Sequence, residues 1–248
     1  MSNRNRVKVL LLLLLAALPS LLFALSGEEI IRKMDEQSTF ETSYSTGTLT
    51  TTDRFATKES TFKAWSRGSA ESLIEFTSIA ERGQKILRTR GSLYLYYPDA
   101  EQLIRLQGAA LRQSVLGSDL SYEDMTEEKN TLDNYKVVLN GNEMIGTREC
   151  YVLTLTATNR QVAYPVQKLW VDQETYLVWK AEYSTAQGRL LKEMEVLRTI
   201  DVAERTLPSE TRIEDKMKRG STTWMMLDTL EVDIPLDRNL FSLENLTW

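Results

Sequence analysis

The chain has 248 residues and a formal net charge of −5, a modestly acidic balance that argues against a nucleic-acid partner. It contains no His and a single Cys, Cys150. The commonest general base and transition-metal ligand are therefore missing, no intramolecular disulfide can form, and no Cys/His cluster exists for zinc.

The first residues read as a targeting segment. Arg4, Arg6 and Lys8 precede an unbroken apolar run over residues 9–18, which Pro19 ends. Ala24 and Ser26 are small residues at −3 and −1 of a cut before Gly27. The run is shorter than the ~20 residues of a membrane-spanning helix. No Cys lies near the cut to carry a lipid anchor. The expectation is a cleaved signal peptide over residues 1–26 and one exported domain over residues 27–248.

GEEIIRKMDEQSTF then reads as an amphipathic helix, with Ile30, Ile31 and Met34 on one face. Strands follow closely: TGTLTTTD, ESTFKAWSR, SAESLIEFT, GQKILRTR, SLYLYYPD and QLIRLQG, an antiparallel meander without crossover helices. Past residue 134, YKVVLNGNEMIGTRECYVLTLTAT predicts two strands and the segment from PVQKLWVD to EVLRTI three more. TLPSETRIED and STTWMMLDTLEVDIPL form a last pair, giving about twelve strands with regular turn signals.

Alternation sorts the side chains. Ile74 and Phe76 share a face opposite Leu73, Leu93 and Leu95 share another, and Trp170 opposes Leu169 and Val171. Trp224, Met225, Met226 and Leu227 read either as a strand buried on both sides or as the far end of a hollow. A large sheet with one apolar face must cover that face, so it curls on itself or leaves an apolar hollow.

One segment breaks the pattern. LRQSVLGSDLSYEDM, residues 111–125, predicts helix, glycine stop, helix. Leu111 and Val115 lie four apart with Leu116 beside them, and Gly117 suits a helix C-terminus. Ser121 and Asp124 have capping-box spacing, and Leu120, Tyr122 and Met125 are the apolar members of the second piece. Two short helices about a glycine could plug the mouth of a curved sheet. Composition alone favours an ordinary connector packed on a core.

RQSVLGSDLSYEDM resembles a segment of the outer-membrane lipoprotein-sorting proteins related to LolA. So do the strand-turn-strand run KLWVDQETYLVWKAEYSTAQGRLLKEM, the Leu207-Pro208 strand opening and the closing DRNLFSLENL. The resemblance covers most of residues 27–248 with its motifs in order. It implies a mainly β fold with a few helices (α+β): a single antiparallel sheet curled into a half-open barrel around an apolar cavity, with an N-terminal helix and a helical lid insert. It also implies a periplasmic carrier of lipoprotein acyl chains or other lipids. An inner-membrane transporter and an outer-membrane acceptor would be its partners, and the carrier itself a monomer. The lining candidates are Leu49, Phe62, Ile74, Phe76, Leu93 and Leu95. The lid would be Leu111, Val115, Leu116, Leu120 and Tyr122, hinged at Gly108 and Gly117. Taken singly, each of these residues is more simply explained as core. No Arg of this chain matches the lid-locking Arg of the carriers; Arg67, Arg88 and Arg90 read as outward-facing strand residues.

No catalytic residue, metal site or cofactor is expected. Cys150 sits in an alternating run as a small buried side chain. Glu123 with Asp124, and Asp172 with Glu174, read as capping or solvated carboxylates. The competing function is a non-enzymatic periplasmic protein that docks on an envelope transporter or an outer-membrane assembly.

Overall fold

The computed structural model describes residues 25–89, 91–126 and 131–246. The signal-peptide expectation falls almost wholly outside these residues, as does Arg90.

Helix α1, Gly27–Ser38, opens the described chain with Ile30 and Ile31 fully buried. Thirteen strands follow: β1 Thr42–Thr52, β2 Thr57–Arg67, β3 Glu71–Phe76, β4 Lys85–Thr89, β5 Ser92–Tyr97, β6 Gln102–Leu106, β7 Tyr135–Ile145, β8 Arg148–Ala157, β9 Val166–Asp172, β10 Val178–Ser184, β11 Leu190–Val202, β12 Arg205–Asp215 and β13 Thr222–Val232. Three short helices complete the described set: α2 Tyr122–Thr126, α3 Thr131–Asn134 and α4 Leu243–Leu246.

All thirteen strands belong to one antiparallel sheet in the order β6-β5-β4-β3-β2-β1-β13-β12-β11-β10-β9-β8-β7. Every neighbour is also a sequence neighbour except β1 and β13, which pair from Ser43↔Val232 to Thr52↔Thr222. Thr46 and Thr229 exchange a hydroxyl hydrogen bond across this seam at 2.8 Å, and Thr51 and Thr223 another at 3.1 Å. The register slips between Thr46 and Gly47. A Cβ on Gly47 would sit 2.5 Å from both Met226 O and Phe62 Cζ, so this bulge admits only glycine without displacement. The sheet is not closed, and its free edges are β6 and β7, which follow each other in sequence. Residues 107–134 therefore run from one edge to the other.

The two halves of the inner face are filled differently. Over β2–β6, Phe62, Ile74, Phe76, Ile86, Leu93, Leu95 and Leu106 pack against Val115 and Tyr122 of the insert. Over β7–β10, Tyr135, Leu153, Leu155, Leu169, Val171 and Ala181 pack against Ile30 and Ile31 of α1. Leu49 lies nearer the middle, with Leu120 and Ile213. On the outer face, Leu73 and Leu87 are covered by Phe241 and Leu246 from the C-terminal segment. Arg67 stacks on Phe241 at 4.7 Å, and Lys85 donates to the Leu246 carbonyl at 3.2 Å, fixing that segment in place.

The insert differs from its expected form. Residues 109–116 are not one helix. A 3-10 turn spans Gly108–Arg112, after which the backbone extends and Ser114 bridges Ser121. Leu116 and Gly117 both take left-handed φ values, +52° and +84°, and turn the chain back on itself. The reason is tertiary: Val115 inserts fully buried into the β2–β6 cluster, and a continuous helix would replace this reversal with a straight rod. The capping box is present, with Ser121 N donating to Asp124 at 2.8 Å and Asp124 N donating to Ser121 Oγ at 3.1 Å.

At α1, Ser26 is the N-cap: Glu29 N donates to its hydroxyl at 3.2 Å, and its own N–H donates to Glu29 at 2.7 Å. Leu25 packs on the cluster beneath α1. A cut before Gly27 removes both features and puts a positive amine at the positive end of the helix. A chain beginning at Leu25 keeps them. The shorter chain should be less stable by about 1 kcal/mol from the lost cap, a fall of roughly 2–4 °C in Tm, checked by thermal melts of the two purified chains.

Candidate functional site

Between the part of the sheet plugged by the insert and the part covered by α1 lies a cavity of about 320 Å³. Its floor is the inner face of β11–β13. Register places Lys192, Met194 and Val196 of β11 opposite Asp215, Ile213 and Thr211 of β12, and Thr211 opposite Met225 of β13. Leu207 and Pro208 continue the wall toward Met34, Asp35, Gln37 and Ser38 of α1, while Tyr176, Leu177, Val178 and Tyr183 close one side. Leu120, Asp124 and Tyr164 close the end nearest the insert. The lining is predominantly apolar, and Met34, Met194 and Met225 give it adaptable walls. At about 320 Å³ it falls at the small end of ligand pockets, which span roughly 300–1,000 Å³.

Of the expected lining and lid residues, Leu120 alone borders this cavity. Phe62, Ile74, Phe76, Leu93 and Leu95 are brought together as expected of one inner surface, but Val115 and Tyr122 fill the space above them. Leu111 and Leu116 pack at the margin of the same cluster. Gly108 and Gly117 both have positive φ, at the start of the 3-10 turn and at the reversal. Trp224, Met225, Met226 and Leu227 are half-buried rather than enclosed on both sides, and Met225 faces the cavity.

The polar end of the cavity was not legible in the sequence. Asp124 caps α2 and also forms an ion pair with Lys192, the two side chains being only 15% and 8% exposed. The Tyr164 hydroxyl donates to both Asp124 oxygens, at 2.9 and 3.2 Å. Burial, followed by the Asp124 charge, pushes the Tyr164 phenol well above its ordinary pKa, so it stays a hydrogen-bond donor. Lys192 lies 5.4 Å from the Tyr164 ring centre, which in turn packs on Tyr183 at 4.6 Å. Lys192 and Asp124 are 68 residues apart, and the capping box that marks Asp124 says nothing of its pairing with Lys192.

Further ties pin the insert. Buried Asp119 accepts from Ser221 and Thr223, each at 2.9 Å, and its N–H donates to Thr223. Lys218 bonds the Gly117 and Ser118 carbonyls and lies 3.9 Å from the other Asp119 oxygen, which accepts no hydrogen bond. Arg112 donates to the Gln161 and Val162 carbonyls. Arg67, one of the considered lock residues, instead pairs with Glu71 at 3.3 Å and bonds the Asp237 carbonyl. Arg88 lines a polar cleft beside Glu123 and Asp124.

The carboxylates weighed for catalysis have structural work. Asp172 Oδ1 accepts from Glu174 N and Thr175 N, and Oδ2 accepts from the Trp179 indole, all at 2.9 Å. Burial pushes the Cys150 thiol up to about 11, assisted by Asp172, so it is protonated at neutral pH and a poor nucleophile.

A family model described as "Uncharacterized protein" matches residues 68–248. The chain belongs to that family. It is LolA-like, as its relatives of known structure show. A DUF1329 family protein from Desulfovibrio piger is 26% identical, with a TM-score of 0.82 over 89% of this chain and 97% of that one. A LolA superfamily protein from Nitrosomonas europaea is 27% identical, with a TM-score of 0.74 over 90% of this chain and 100% of the other. An outer membrane lipoprotein-sorting protein domain from Vibrio parahaemolyticus shares the fold at 18% identity, with a TM-score of 0.81 over 90% and 98% of the two chains. No curated protein matches the chain. The LolA-like half-barrel thus carries, in this member, a Lys–Asp–Tyr group where its cavity meets the insert.

Truncating Asp124 to Ala strands a buried ammonium, which costs about 3–5 kcal/mol. Replacing Asp124 by Leu, Lys192 by Met and Tyr164 by Phe together should recover most of that loss, short of about 1 kcal/mol for the missing cap. Urea denaturation of the two variants beside the parent protein checks both outcomes.

Proposed function

We propose that the protein is a periplasmic carrier that shelters the acyl chain of a lipoprotein or another lipid in the cavity between α1, the insert and β11–β13. The observation that carries this reading is the cavity itself: about 320 Å³ with an adaptable, mostly apolar wall in a LolA-like sheet. A cavity of about 150 Å³ holds benzene, so this one takes on the order of a dozen carbons. Each methylene removed from water contributes about 0.8 kcal/mol, and a dozen contribute roughly 10 kcal/mol. That is enough to make unassisted passage through water slow and carried passage favourable.

A longer chain needs more room. In this reading it opens a second compartment between Phe62, Ile74, Phe76, Leu93 and Leu95 by displacing Val115 and Tyr122, with Leu49 at the join between the two. Leu111, Leu116 and Leu120 move with them, and Gly108 and Gly117 accommodate the backbone change. The protein is exported, works without a cofactor, and passes cargo between an inner-membrane donor and an outer-membrane acceptor.

Organic-solvent extraction of protein purified from cells, followed by mass spectrometry, tests the reading. The parent protein should yield acyl lipid in near-stoichiometric amount, and Met194→Trp, which fills the cavity floor, should yield several-fold less. A protein that is empty and refuses added acyl ligands would instead support a docking role on an envelope transporter.

A further inference from the structure

The cavity is apolar along its length and carries at the insert end an ammonium and a carboxylate paired with each other. Lys192 is the one cation among its described lining residues. The far end presents Asp35, Gln37 and Ser38 at the C-terminal turn of α1, where the helix dipole is negative. The lysine is not bare: Asp124 from the insert is seated on it, and Tyr164 donates a second hydrogen bond to the same carboxylate. A carboxylate is therefore already held at the end of an acyl-sized cavity by an ammonium and a phenol, and it belongs to the segment that bridges the open side of the sheet.

We propose that the cavity takes a single acyl chain ending in a carboxylate, with the head replacing Asp124 on Lys192. The proposal rests on the carrier reading and adds the chemical class of the cargo. The chain lies along the Met194–Ile213 and Val196–Thr211 pairs. From Lys192 to Val196 is four strand steps, about 14 Å, which suits an extended tail of the length the volume admits. Both the ammonium and the Asp124 charge are kept: the ammonium exchanges one carboxylate for another, and Asp124 retains the Ser121 N–H and can turn to the polar cleft that holds Arg88. A neutral or cationic head cannot make this exchange, because it would leave the ammonium unpaired or face it with like charge. Loading thereby removes one of the ties that fix the insert, while Asp119 and Arg112 keep theirs. The cargo's own head group loosens the segment above it.

The test is calorimetric titration of the delipidated protein with dodecanoate, dodecan-1-ol and dodecylammonium. Dodecanoate should bind several-fold more tightly than the alcohol, which cannot take the place of Asp124 on Lys192, and the ammonium should bind worst. In Lys192→Met, where Asp124 stays at the head-group position, the ratio of dodecanoate to alcohol affinity should fall to one or below. In Asp124→Asn, where the competing carboxylate is gone and the lysine is unpaired, dodecanoate should bind more tightly than to the parent and raise Tm by more. Equal binding of all three amphiphiles by the parent protein overturns the head-group assignment and leaves the carrier reading standing. Binding of none overturns both. An unchanged preference in Lys192→Met, or unimproved dodecanoate binding in Asp124→Asn, overturns the exchange even if the other variant fails to fold.

Discussion

The pairing of the first strand with the last is the constraint on which the rest of the structure depends. A meander that simply ran on would leave its two ends of sequence at its two edges. Joining β1 to β13 puts those ends in the middle and makes the edges β6 and β7, strands that are consecutive in the chain. Whatever connects them must cross the open side of the curved sheet. The insert is therefore placed over the inner face by topology, before any of its side chains are considered. Its apolar members then need only point inward, as Val115 and Tyr122 do.

The same arrangement explains why the hollow lies where it does. Two plugs are available for one long inner face, α1 and the insert, and each covers the strands near its own edge. The strands farthest from both edges, β11–β13 among them, receive neither plug fully. The void is the part of the inner face left between the two plugs, and its rim is made of whichever polar groups those plugs bring. That is how an insert carboxylate comes to sit on a β11 lysine.

Much of this fold is legible in the sequence, because strand alternation is a local property. Ile74 and Phe76 against Leu73, and Leu169 and Val171 against Trp170, sort to the two faces as period-2 patterns demand. Asp124 as a helix cap is local too, and it is found where its spacing puts it. The failures are nonlocal. Leu111 and Val115 have helical spacing, but the burial of Val115 in a distant cluster decides the backbone there. Alternation tells which residues face inward, not which of them meet a plug and which meet empty space. Leu93 and Met194 are equivalent in that pattern, yet one is packed and the other borders the cavity. The Lys192–Asp124 pair depends on both failures at once, since it joins the insert to a strand far along the chain.

The C-terminal segment carries a consequence for how the molecule comes into being. Phe241 and Leu246 cover the outer sides of Leu73 and Leu87, residues made far earlier in synthesis. Neither the seam strand β13 nor this cover exists until residues 222–246 have been made. A partly emerged chain thus lacks both the central pairing of its sheet and the cover on an apolar strip. The β1–β13 pairing and this cover are of long sequence separation, which favours their forming after the hairpins of the meander. Such a fold closes only when β13 and the segment around Phe241 join strands far earlier in the chain.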